Sequence, residues 1–187
     1  MTTKHWVLFQ VAASELLAFL RLIGRDSLRL HAPALPPDVA VFDTVYDPEA
    51  DTFTLVLESE LFAPVQAALD GTTWSGAFPE VVFALDGVRH TAPPARVRPS
   101  PLPDEVRWEA YLMSPSALLR LLNAVADGAD VAVDPLPPDA RLADAYYDIE
   151  RQAIALLVES ALFEPAPMVR DSGGETRLQL PDRWLDV

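Results

Sequence analysis

The chain contains one segment twice, and this duplication constrains its fold more than any other feature of its 187 residues. Residues 35 to 64, LPPDVAVFDTVYDPEADTFTLVLESELFAP, align without a gap on residues 136 to 165, LPPDARLADAYYDIERQAIALLVESALFEP, with 14 identities in 30 positions. Unrelated segments share roughly two, so the match marks a copied supersecondary unit. Upstream, after a slip of one residue, Trp6, Ser14, Leu16, Leu17 and Leu20 align with Trp108, Ser116, Leu118, Leu119 and Leu122.

Each unit reads as strand, helix and long hairpin. WVLFQV and WEAYLM are short runs dense in aromatic and apolar residues, which suits a first strand. In the first helix Leu16, Leu17, Leu20 and Ile23 share a face, with Ser14 as the expected N-cap and Gly24 as the stop. Ser114 followed by Pro115, the stripe Leu118, Leu119, Leu122 and Val125, and Gly128 repeat that logic. The hairpin alternates from Val39 to Tyr46 and from Phe53 to Ser59 around the turn Asp47-Pro48-Glu49-Ala50-Asp51. Phe53, Leu55 and Leu57, like Ile154, Leu156 and Val158, are expected to face the helix, with Glu58 and Glu159 on the opposite face. A second hairpin around Asp86-Gly87 is expected after VVFAL, with Thr176 to Leu180 as the counterpart strand in the second unit.

The expected fold class is α+β: a tandem duplication of a βαββ-type unit, each helix packed on an antiparallel sheet, with the two copies related by a pseudo-two-fold. Residues 1–92 form the first repeat, 93–105 a Pro-rich linker and 106–187 the second repeat. Five prolines between Thr91 and Glu105 remove backbone donors and disfavour helix or interior strand. One helix covers one face of each sheet, so two arrangements satisfy the pattern. The units bury their open faces against each other, or they stay separate along the linker.

Composition narrows the chemistry. The chain has no Cys, which excludes disulfides, thiolate metal sites and thiol nucleophiles and makes the cytoplasm the expected compartment. No signal peptide or membrane span is expected from its apolar runs. A net charge of -14, from 28 acidic against 14 basic residues, repels phosphate backbones and disfavours direct nucleic-acid binding. Three His at unrelated positions offer no metal-ligand spacing, and no phosphate-binding glycine loop or nucleophile elbow occurs. No cofactor, metal site or catalytic residue is expected, and the reading leans away from an enzyme.

The candidate partner-binding residues are acids and tyrosines at equivalent positions: Asp43, Tyr46, Asp47 and Glu58, with Asp144, Tyr147, Asp148 and Glu159. Asp47 and Asp148 equally suit turn closure. Asp43 and Asp144 interrupt the apolar side of their strands, so each is expected to be paired, at a rim or on a bulge. The repeated LPPD is expected to set strand register, and Phe62 and Phe163 to plug the core. Arg89, Arg96 and Arg98 form the one local basic cluster, a candidate anion site. The preferred functional expectation is an acidic, non-enzymatic interaction protein that offers a two-fold surface to a protein partner. Two alternatives are an acidic mimic of nucleic acid that inhibits a DNA- or RNA-acting enzyme, and a binder or enzyme for a small anion in the cleft between repeats.

Overall fold

The computed structural model describes residues 2–23, 35–84, 107–129, 131, 136–170, 173–174 and 176–185, with backbone alone at 176–178. The first half runs β1 (Thr2–Lys4), β2 (Trp6–Ala12), α1 (Ala13–Leu22), β3 (Ala40–Asp47), β4 (Thr52–Glu58), β5 (Val65–Asp70), β6 (Thr73–Gly76) and β7 (Glu80–Val82). The second runs β8 (Trp108–Met113), α2 (Pro115–Ala126), β9 (Arg141–Asp148), β10 (Ala153–Glu159), β11 (Met168–Arg170), β12 (Thr176–Leu178) and β13 (Asp182–Trp184). The architecture is mixed, mostly strands with two helices among the described residues. No helix there is long and apolar enough to cross a membrane.

Each half contains a four-stranded sheet, ordered β3-β4-β2-β7 in the first and β9-β10-β8-β13 in the second. The registers agree at aligned positions: Phe9 lies opposite Leu55, and Tyr111 opposite Leu156. The sheets are antiparallel except at one edge, where β7 and β13 run parallel to the central strands. Leu8 faces Glu80 and Ala110 faces Asp182, while the Leu8 and Ala110 amides donate to the carbonyls of Pro79 and Pro181. The counterpart of the first half's last strand is therefore β13. Thr176–Leu178 instead pairs with β11 in a separate two-stranded sheet. The expected Asp86-Gly87 hairpin, Gly24, and linker 93–105 lie outside the described residues.

Helix starts differ between the halves. Ser114 caps α2, its hydroxyl accepting the Ala117 amide at 3.1 Å, with Pro115 following. Gly128, at φ +73°, ends it, and the Gly128 and Ala129 amides return to Val125 and Ala124. In α1 the cap is Ala12, with no side-chain bond, and Ser14 sits inside the first turn. The first helical amide finds another acceptor: Ala13 N–H donates to the Asp51 carbonyl at the hairpin tip, 2.9 Å away.

The helix-side faces of both sheets and both helices merge into one apolar core. Phe9, Phe19, Phe53, Leu55 and Leu57 from the first half join Leu118, Leu121, Ile154, Leu156 and Val158 from the second. Full burial of such side chains is worth about 1.5–3 kcal/mol each. Crossed contacts knit the halves: α1 packs on β9, α2 on β3, and β3 on β9. The Arg21 guanidinium adds a donor to the Pro138 carbonyl at 2.5 Å. The halves are joined through these helix-side faces and edge strands. In the first half the opposite face is covered locally: Trp6 is buried against Phe42, Trp74 and Phe78, with Lys4 Nζ 4.6 Å from its ring centroid. Trp108, at the aligned position, is half-buried, with no such aromatic cluster among the described residues.

Candidate functional site

The edge strands β3 and β9 carry the unusual acids, and a bulge in each decides where those acids point. Opposite β4, the register shifts between Val41 and Asp43, leaving Phe42 as the extra residue. Opposite β10 it shifts between Leu142 and Asp144, leaving Ala143 extra. A bulge reverses the alternation beyond it. Asp43 and Val45 consequently turn outward and are exposed, whereas Thr44 is buried and Tyr46 packs on Phe53, ring centroids 4.7 Å apart. Each Asp also satisfies the next amide: Asp43 Oδ1 accepts from Thr44 N–H at 2.8 Å, and Asp144 Oδ1 from Ala145 N–H at 2.9 Å.

Where β3 and β9 meet, a cleft of about 610 Å³ opens, lined by Asp43, Thr44, Val45, Tyr46 and Pro48 on one side and by Tyr146, Tyr147, Ile149 and Gln152 on the other. The two sides derive largely from aligned positions. Ile149 is 80% exposed, an apolar side chain that nothing in the fold requires at the surface. The Thr44 hydroxyl is buried and makes no hydrogen bond of normal geometry among the described residues. It approaches the Tyr147 phenol across the seam. Burial raises the Tyr147 pKa, the Thr44 hydroxyl partly offsets that rise, and Asp43 adds to it. Burial likewise raises Tyr146, followed by the charge of Asp148, while Arg151 opposes the shift.

Of the sequence-predicted residues, Asp43, Tyr46 and Tyr147 line this cleft. Asp47 and Asp148 stand at its strand ends but serve the turns, Asp47 Oδ1 accepting from the Glu49 and Ala50 amides and Asp148 Oδ1 from the Arg151 amide. Tyr46 donates its hydroxyl proton to Asp51 Oδ1 at 2.6 Å. Glu58 and Glu159 are elsewhere. They end β4 and β10 on the side away from the turns, roughly 20 Å along the strand, and Glu58 accepts from Trp6 Nε1 at 3.1 Å. Arg89, Arg96 and Arg98 lie outside the described residues. Among those described, no three His, Asp or Glu side chains converge on a metal position.

Sequence reasoning missed the reason for the repeated LPPD and ES segments. Asp38 accepts from the Ser59 hydroxyl at 2.7 Å and the Glu60 amide, and Ser59 Oγ accepts the Leu61 amide. Asp139, Ser160, Ala161 and Leu162 repeat the arrangement, with a 2.6 Å hydroxyl bond. The serine bond, together with backbone amides, holds both carboxyls below the usual aspartate value. The clasp folds the chain so that Phe163 reaches the core and Phe62 packs against it. His5 Nδ1 and Arg107 each hydrogen-bond the carbonyl of that Phe. The spacing of 21 residues between Asp and Ser in both copies was the available signal.

Comparison with protein-family models, curated proteins and solved structures returned no match.

Proposed function

We propose that this chain is a non-enzymatic acidic binding protein, built from two copies of one βαββ module around a pseudo-two-fold axis between β3 and β9. Its shared seam receives a protein partner. One observation carries the reading: the cleft draws apolar and aromatic residues from aligned positions of both halves, Val45 with Tyr146, Tyr46 with Tyr147 and Pro48 with Ile149, beside the Asp43 carboxylate. The common strand order and the crossed helix-to-edge contacts support the symmetry. A surface that exists only when both modules are present suits recognition rather than the internal packing of either.

The described acids favour this reading over mimicry of nucleic acid. Asp38, Asp43, Asp47, Asp139, Asp144 and Asp148 each accept backbone hydrogen bonds, so their placement answers to turns and bulges. The cleft volume falls within the small-molecule range of roughly 300–1,000 Å³, but an anion would meet the Asp43 carboxylate and no basic lining side chain.

The test is affinity capture from source cells with Val45→Arg and Ile149→Arg, beside Leu61→Arg on another exposed surface. All three positions are exposed, so melting temperatures should match the parent. Both seam variants should lose a partner that Leu61→Arg retains. Capture that ignores the seam substitutions rejects the surface.

A further inference from the structure

The cleft offers an environment of one electrical sign. Its lining includes Tyr46, Tyr146, Tyr147 and Asp43, with no Lys or Arg. Aromatic faces attract a cation within about 6 Å of the ring centroid, and more strongly where water is excluded. Asp43 raises the Tyr147 pKa, and Asp148 raises that of Tyr146. Burial is the larger cause of both shifts, and the carboxylates add a negative local potential that favours a cation. Arg151, the basic group that acts on Tyr146, is held by Asp148 at 3.6 Å and Asp182 at 2.8 Å. Thr44, only 7% exposed, lines the same cleft with its hydroxyl beside the Tyr147 phenol.

We propose that the seam cleft is an arginine-binding site, taking a guanidinium side chain presented by a basic segment of the protein partner. The proposal rests on the partner-binding reading and specifies its chemistry. Arginine fits better than lysine because its flat, weakly hydrated head stacks on aromatic rings while donating to a carboxylate and a hydroxyl together. The net charge of -14 adds long-range attraction for such a segment.

The probe is N-acetyl-arginine amide, titrated into the full chain by NMR beside N-acetyl-citrulline amide, which replaces the guanidinium with a neutral urea of similar shape. Saturable shifts are expected at Tyr146, Tyr147 and Ile149, with a Kd of about 1 mM, and at least about tenfold weaker binding of citrulline. Asp43→Asn keeps an acceptor for the Thr44 amide yet removes the charge, and it should weaken binding about tenfold. Thr44→Val, which removes the hydroxyl at the cleft, should weaken binding of the arginine probe. Equal binding of the two probes, shifts spread over acids remote from the cleft, or variants that bind like the parent would overturn the proposal. If arginine amide fails while seam substitutions still abolish capture, partner binding stands and the cationic occupant falls. If it binds in the cleft while capture ignores those substitutions, the partner reading falls.

Discussion

Two residues at aligned turn positions, Asp51 and Gln152, adopt φ values of 53° and 50°. The left-handed region costs an ordinary L-residue roughly 1–2 kcal/mol, part of which glycine recovers. Asp51 is compensated by the Tyr46 hydroxyl bond, whereas Gln152 shows no such bond among those described. Gln152→Gly is therefore expected to stabilise the protein by up to about 1 kcal/mol in denaturant titrations, while Asp51→Gly brings no gain. The Asp38 and Asp139 clasps set an acid limit. Both carboxyls titrate below the ordinary aspartate value, so their contribution is complete above about pH 4 and disappears as pH falls through the lowered values. Ser59→Ala with Ser160→Ala should flatten stability against pH in that acidic window. An unchanged acid profile by circular dichroism would show that the serines do not hold these carboxyls.

At the scale of elements, β13 shows how one edge can be fastened by different chemistry in two equivalent places. Arg183 on β13 forms a forked ion pair with the nearly buried Glu109 of β8, and the Tyr111 hydroxyl also reaches that carboxylate. The aligned residues in the first half are Val81 and Val7, and Val81 lies opposite Phe9 as Arg183 lies opposite Tyr111. Removing one member of a pair leaves the other charge desolvated, whereas an apolar replacement of both can be neutral. Arg183→Val should cost about 1–3 kcal/mol, a range reduced because Arg183 is half-exposed. Glu109→Val combined with Arg183→Val should restore most of that stability. Additive losses in the double-mutant cycle would contradict the pairing.

Across the whole molecule, the single core predicts cooperative behaviour. Leu118 is fully buried among residues of both halves, so Leu118→Ala should cost roughly 2–5 kcal/mol. Tryptophan fluorescence, which includes the Trp6 cluster of the other half, should shift with the same midpoint as circular dichroism. Separate midpoints would mean that the halves unfold independently.

Local signals carried much of the architecture. The alternation of Phe53, Leu55 and Leu57, the Asp47 turn and the Ser114-Pro115 helix start are visible because their causes lie within a few residues of one another. The cap of α1 and the parallel strand β13 were illegible for the opposite reason: the Asp51 carbonyl that serves Ala13 and the central strand that receives Asp182 are distant in sequence. The repeated acids and tyrosines pointed to the hairpins, but not to which of them would meet. Sequence by itself determined the strand, helix and long hairpin of each half, since each depends on short-range periodicity and hydrogen bonding. Tertiary structure decided that Asp43 turns outward and that Tyr147 comes to face Thr44. Those outcomes depend on one-residue bulges and on packing between chain segments about a hundred residues apart, where many local patterns are compatible and only the shared core selects one.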